Sequence, residues 1–250
     1  MLTNLQYQIL RRISPGEPTC CSGAAYLGKS KLRVLLGDEL MTRIRGKIVI
    51  DFGCGSGAEA IEMATLADRV IGIDIREGAL EEARGNASKA GVADKCEFRN
   101  SAPETGADII VSIDSFEHFA DAAAILRTMG SLLRPGGEVL ASFGPTWYHP
   151  LGGHLFSVFP WAHLLFSEQA LIRWRSDFKT DGASRFGEVD GGLNQMTIQR
   201  FEDIVRESPF ETGEIELVPI RNLKILHNKW TREFTTAIVR CRLVKPMASR

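Results

Sequence analysis

Ile48-Val49-Ile50-Asp51-Phe52-Gly53-Cys54-Gly55-Ser56-Gly57 limits what this chain can fold into more than any other stretch. An apolar, β-branched run leads into an acid, and glycines then alternate. The run reads as a short buried parallel strand. The glycines permit a tight turn and let the backbone approach a ligand with no Cβ in the way. A helix is predicted over Ala58 to Ala67, with Ile61, Ala64 and Leu66 on its buried side. Strand, glycine turn and helix N-terminus together make a nucleotide cradle, which puts the chain in the α/β class.

Gly53 to Ala58 satisfies the loose G-x-G-x-x-G/A pattern of dinucleotide sites, a weak signal by itself. Asp51 narrows the choice. A carboxylate at the strand tip, two residues before the first glycine, repels a pyrophosphate. It suits a ligand with an ammonium group, such as the methionine end of S-adenosylmethionine. On these residues the chain resembles the class I S-adenosylmethionine-dependent methyltransferases, whose first motif is an acid followed by G-x-G-x-G. The resemblance implies S-adenosylmethionine as the cofactor, with Asp51, Gly53, Gly55 and Gly57 around it. A glycine-rich turn that holds no ligand is the alternative.

Arg69 to Ile75 is predicted as the second strand. Asp74 lies 23 residues after Asp51, where a carboxylate accepts both ribose hydroxyls as a bidentate pair. Ile75 can then lie against the adenine. A helix predicted over Glu77 to Ala90 gives Asp74 a second reading as its N-cap. Lys95 to Asn100 is the third strand. Many members of the resembled family carry an acid just after it that bonds the adenine amino group. Ser101 and Ala102 stand there instead, and serine is the weaker acceptor.

Ala107 to His118 reads as the fourth strand and its turn, and it is similar to the family's fourth motif, Glu-His pair included. The resemblance implies that Ser112 and Ile113 face the methionine portion and the transferable methyl. Glu117 and His118 are predicted to begin the next helix. His118 suits orienting an acceptor or taking its proton, or else it is a helix-start histidine bonded to backbone. Helix Ala122 to Leu133 then stops at Arg134-Pro135-Gly136-Gly137, and Glu138 to Phe143 is the fifth strand.

Helices are predicted over Leu2 to Ile13, through Leu5, Ile9 and Leu10, and over Ser30 to Ile44. The expected organisation is an N-terminal helical cover over residues 1–46 and a methyltransferase domain over 47–250. Within that domain, 145–192 forms an inserted acceptor lid. The connection is far longer than a compact one and holds three of the five histidines and three of the four tryptophans. His149 and His154 join His118 as candidate general bases. Their spacing matches no metal motif, so no metal is expected. Leu155 to Trp161 is very apolar and reads as lid core, acceptor pocket or membrane contact, with Pro160 opening a helix through Phe166. Helix Gln195 to Arg206 and strands Glu214 to Ile220 and Thr235 to Val244 close the chain. The resemblance implies a doubly wound, Rossmann-like, seven-stranded sheet with an antiparallel edge strand.

A formal charge of −1 gives no general field for nucleic acid or a membrane surface. The five cysteines, an odd number, form no zinc pattern or disulfide framework. No signal peptide or membrane span is read, so a cytoplasmic setting is expected. The expected activity is methyl transfer to a hydroxyl oxygen of a small molecule or sugar, with no nucleic-acid partner. N-methylation, a non-catalytic cofactor-binding partner subunit and a nicotinamide dehydrogenase are the rival readings.

Overall fold

Short β-branched runs pair side by side at the centre of the molecule. The computed structural model describes residues 2–16, 26, 28–103, 106–189 and 191–247, so Cys20 and Cys21 lie outside the described residues. The strands are β1 (Ile48–Phe52), β2 (Arg69–Ile73), β3 (Cys96–Arg99), β4 (Ala107–Ile113), β5 (Leu133–Phe143), β6 (Glu211–Pro219) and β7 (Thr236–Val244). They form one seven-stranded sheet in the order β3-β2-β1-β4-β5-β7-β6. The first five run parallel, while β7 is antiparallel to both β5 and β6. The antiparallel strand therefore sits one place in from the edge, which β6 forms.

Both faces of the sheet are buried, as an all-parallel centre requires. One face carries α2 (Lys31–Leu36), α3 (Glu39–Arg43), α4 (Ala58–Ala64) and α5 (Glu77–Lys89). Leu32, Leu35, Leu40, Met63 and Leu80 there pack on Val49, Val70 and Val111. The other face carries α6 (Ala122–Leu132) and α9 (Ile198–Arg206), whose Leu126, Met129 and Phe201 pack on Ile50, Ile110 and Phe143.

Several predicted elements change at points that periodicity cannot see. The helix expected over Ser30 to Ile44 is two helices. Ser30 Oγ caps α2 by accepting from Arg33 N–H, and Gly37, at φ 83°, ends it. The first helix after the glycines stops at Ala64, because Thr65 Oγ turns back on Glu62 O at 2.7 Å. Glu117 and His118 lie in a turn, not in a helix. The helix starts at Ala122, where Asp121 Oδ1 accepts from Ala124 N–H at 2.8 Å and supplies the N-cap that residues 114–118 lack. Arg134 to Gly137 is a bulged extension of β5, since pairing jumps from Ala107↔Leu133 to Ile109↔Glu138.

The insertion after β5 builds a third core together with α1 (Leu2–Ile13). Its helices are α7 (Ala162–Leu165), shorter than expected because Trp161 takes φ 57°, and α8 (Glu168–Arg175), which periodicity did not reveal. Tyr7 and Leu10 of α1 pack against Phe156, Leu171 and Trp174, and Trp174 Nε1 donates to Ser14 O at 3.1 Å. Of the three residues whose spacing marked α1, Leu10 is fully buried, while Leu5 and Ile9 are turned outward, 58% and 40% exposed. Between β6 and β7 the chain makes a 3-10 turn, Arg221–Leu226, and α10 (Arg232–Thr235).

Candidate functional site

A cleft of about 410 Å³ opens at the carboxyl ends of β1 and β4. Its lining includes Lys31, Asp51, Gly53, Gly55, Glu59, Arg76, Ile113 and Asp114. Gly53, Gly55 and Gly57 all take left-handed backbone angles, at φ 89°, 52° and 82°, which L side chains rarely adopt. They differ in what they face. A Cβ on Gly53 would lie 2.6 Å from Ser115 Oγ, and one on Gly57 would lie 2.9 Å from Ala83 and 3.0 Å from Phe98. A Cβ on Gly55 would point into the cleft, with only Arg76 Nη2 at 3.8 Å. Gly55 thus leaves room for a ligand, whereas Gly57 lets α5 and β3 close on the loop.

Asp74 holds this loop in place. Its Oδ2 accepts from Gly55 N–H at 2.9 Å, and its Oδ1 accepts from Arg76 N–H at 2.9 Å. The Arg76 side chain adds Nε to Oδ1 at 3.1 Å and Nη2 to Oδ2 at 3.3 Å. Burial alone would raise the carboxyl pKa, but the bonds from Arg76 and Gly55 outweigh it and hold it below the usual value. All four lone-pair positions of the carboxylate are engaged. The Asp74 backbone precedes Arg76, the N-cap position of α5, so the N-cap reading does not apply to Asp74 itself.

Asp51 is the opposite case. It is 4% exposed, and its Oδ2 has no hydrogen-bond partner. Burial, reinforced by the charge of Glu59, pushes its pKa up to about 8, against the opposing pull of Lys31. A buried carboxyl with an unused oxygen beside an open glycine loop suits a cationic ligand group. Lys31 Nζ stands 2.8 Å from Asp114 Oδ2 and brings a cation to the same cleft.

The remaining expected residues are dispersed. Ile113 lines the cleft, but Ser112 is fully buried and donates its Oγ to Phe52 O at 3.0 Å, tying β4 to β1. Ile75 is 91% exposed, and Ser101 and Ala102 are exposed beyond β3, outside the cleft lining. None of His118, His149 and His154 lines the cleft. His118 Nδ1 donates to Gly192 O at 2.7 Å, because a carbonyl can only accept, and this leaves the lone pair of the neutral ring on Nε2. Its ring meets that of His154 edge-on at 5.4 Å. His149 Nδ1 accepts from Leu151 N–H at 2.9 Å, so its lone pair is engaged. Burial pushes His149 down to about 4, with the charge of His163 adding to it. Burial does the same to His154, where His118 adds to it.

Lys31, Arg76 and Asp114 were missed at the sequence level. Arg76 follows Asp74 by two residues and Asp114 follows Ile113 directly, so both were within reach of the motif reading. Lys31 carries no local signal, since only the packing of α2 brings it here.

Residues 45–146 match a family model described as a methyltransferase domain. The ubiquinone biosynthesis O-methyltransferase of Stutzerimonas stutzeri is 34% identical over 118 residues, covering 44% of this chain and 50% of that protein. The 27-O-demethylrifamycin SV methyltransferase of Amycolatopsis mediterranei is 36% identical over 101 residues, covering 38% of this chain and 37% of that protein. The chain spans about half the length of the curated relatives it matches. An S-adenosylmethionine-dependent methyltransferase from Mesorhizobium loti shares the fold at TM-score 0.56 and 17% identity, over 82% of this chain and 94% of that one. So does the [4+2]-cyclase SpnF, at TM-score 0.56 and 15% identity, over 84% of this chain and 80% of that one.

Proposed function

We propose, from the premise that residues 45–146 are a class I S-adenosylmethionine-dependent methyltransferase domain, that the chain methylates a hydroxyl oxygen of a small-molecule acceptor. The observation that carries this reading is Asp51. Its unpartnered, buried oxygen lies beside a glycine loop whose middle member leaves the cleft open. Asp51 would take the ammonium group of the cofactor and Lys31 its carboxylate, with Gly53 and Gly55 against it, and Asp74 would take its ribose hydroxyls in place of the two bonds from the Arg76 side chain. Ile75, Ser101 and Ala102 would flank the base. The cofactor, when bound, supplies a methyl group made electrophilic by its sulfonium.

The chain's own residues then have three tasks: align the acceptor, exclude water and accept a proton. We assign the proton to Nε2 of His118, which sits on the turn that begins with the cleft residues Ile113 and Asp114. The engaged lone pair of His149 and the burial of His154 weigh against those two. Residues 145–192 serve as the acceptor lid, a reading supported by their departure from the end of β5 and by the contact of His118 with Gly192. Oxygen is favoured as the nucleophile because one curated relative above is named an O-methyltransferase and the other a 27-O-demethylrifamycin SV methyltransferase. A cytoplasmic site of action is supported by the free thiols of Cys54, Cys96 and Cys241. Among the described residues no helix is long and apolar enough to cross a membrane.

The test begins with calorimetry of S-adenosylmethionine and NADH on the purified chain. Methyl-labelled S-adenosylmethionine is then offered with a panel of hydroxylated and amino acceptors. The expected result is binding of the first ligand alone and label on hydroxyl compounds. His118→Ala should lower turnover at neutral pH and leave cofactor affinity intact. Binding of NADH instead, or cofactor binding with no labelled acceptor, rejects the reading.

A further inference from the structure

The turn between β4 and α6 touches three parts of the molecule that are far apart in sequence. At its start, Ile113 and Asp114 line the cleft, and Ser115 Oγ sits against Gly53. At its centre, Glu117 reaches both roots of the insertion. Its Oε1 accepts from Gly144 N–H at 3.2 Å, where the chain leaves β5. Its backbone carbonyl accepts from Asn194 N–H at 3.0 Å, where the chain returns. Asn194 answers with its side chain, donating Nδ2 to Phe116 O at 2.6 Å and to Phe119 O at 2.8 Å. Trp147 N–H to Met196 O, at 2.7 Å, joins the two roots to each other.

Glu117 is costly for its surroundings. It is 2% exposed, and its Oε2 has no hydrogen-bond partner. Burial, with the charge of Asp114, pushes its pKa up to about 8. An apolar residue of similar size would avoid this desolvation cost. What such a residue lacks is the acceptor for Gly144 N–H.

We propose that Glu117 is a positioning residue: by gripping Gly144 and Asn194 together it makes the stance of the insertion depend on what occupies the cleft. A ligand against Ile113 and Asp114 steadies the turn, and the turn steadies both roots. This rests on the reading of the cleft as the cofactor site, and it goes further by linking that site to the insertion. The acceptor side is then completed only after the cofactor has entered.

S-Adenosylhomocysteine is the probe, read by calorimetry for affinity and by hydrogen exchange at the amides of Gly144, Trp147 and Asn194. In the unmodified chain the probe should slow exchange at these amides about tenfold, a gain on the scale of sub-global opening. Glu117→Ala removes the acceptor for Gly144 N–H while its backbone carbonyl still holds Asn194, so it should bind the probe with unchanged affinity and lose the slowing at Gly144 and Trp147. Glu117→Gln keeps an oxygen for Gly144 N–H and should restore it. Should Glu117→Ala fail to fold, Asn194→Ala replaces it, since it removes both side-chain bonds of the return root and should also lose the slowing. Probe binding without slowing in the unmodified chain overturns the coupling alone. Slowing that persists in the alanine variants, or that is lost in Glu117→Gln as well, overturns it too. No probe binding at all overturns the functional reading and the coupling with it.

Discussion

Lys31 Nζ and Asp114 Oδ2 form an ion pair of 2.8 Å on the wall of the cleft, joining α2 to the turn after β4. Burial alone would lower the lysine pKa, but the Asp114 carboxylate outweighs it and holds it above the usual value. Asp114 pays for this placement with a left-handed backbone at φ 47°. The pair brings to the cleft the two charges that a zwitterionic ligand end requires, with Asp51 beside them.

Lys31→Met should weaken S-adenosylhomocysteine binding about tenfold, or roughly 1–2 kcal/mol once the partial exposure of the pair is discounted. Lys31→Arg should recover most of the loss. Calorimetry at two salt concentrations checks both, and an unchanged affinity in Lys31→Met removes Lys31 from the ligand site.

Asp74 and Arg76 should act in opposite directions. Asp74→Ala removes the proposed ribose acceptor and the anchor of Gly55, so binding should fall by about 2–4 kcal/mol. Arg76→Ala frees two lone-pair positions on Asp74 and removes a cation from the site of a cationic cofactor. It should tighten S-adenosylmethionine binding severalfold. Weaker binding in Arg76→Ala makes the guanidinium a ligand contact instead of a competitor.

The glycines separate binding from folding. Gly57→Ala should lower stability by about 1–3 kcal/mol from overpacking, plus roughly 1–2 kcal/mol of backbone strain. It should keep a ligand-induced rise in thermal midpoint. Gly55→Ala carries the strain alone and should abolish that rise. Thermal scans with and without S-adenosylhomocysteine decide, and equal ligand responses in the two variants contradict the division.

Stability should depend on pH in two limbs. A carboxyl whose folded pKa exceeds its unfolded value contributes fully below the unfolded value, and the contribution is lost as pH rises toward the folded one. For Asp51 and Glu117 the folded value is about 8, against ordinary values of 3.8 and 4.5. His149 and His154 are lowered from 6.5 to about 4, so their penalty at low pH disappears as pH rises through 6.5. The two pairs oppose each other up to about pH 6.5, and above it only the carboxyls act. The thermal midpoint should therefore fall from about pH 6.5 to about pH 8, less steeply in Glu117→Gln. A midpoint that rises over this interval refutes the assignment.

The strand starts and the glycine loop were legible because local pattern determines them. β1, β2 and β4 begin at the expected residues, Ile48, Arg69 and Ala107. The break at Gly37 was not legible, since apolar spacing continues across it from Leu32 to Ile44. The same limit hid which side of α1 is buried. Leu5, Ile9 and Leu10 share the helical spacing, but of the three only Leu10 is buried, together with Tyr7, in the core that α1 builds with α8, and only the fold of a segment far downstream decides that. In the site, Asp51 and Gly55 followed from their motif. Lys31 and the clamp at Glu117 did not, because each is defined by a partner from another part of the chain.

The alliance of α1 with the insertion has a consequence for the order in which the protein is made. Trp174 and its partner Ser14 are 160 residues apart. At about 5–20 residues per second on the ribosome, α1 waits on the order of ten to thirty seconds for that partner to emerge. During that interval its inner face, Tyr7 and Leu10, has nothing of its own chain to cover it. Its outer face, with Leu2, Leu5, Ile9 and Ile13, stays exposed afterwards as well. The nascent chain thus carries this oily helix without its partner while β1 to β5 are being made.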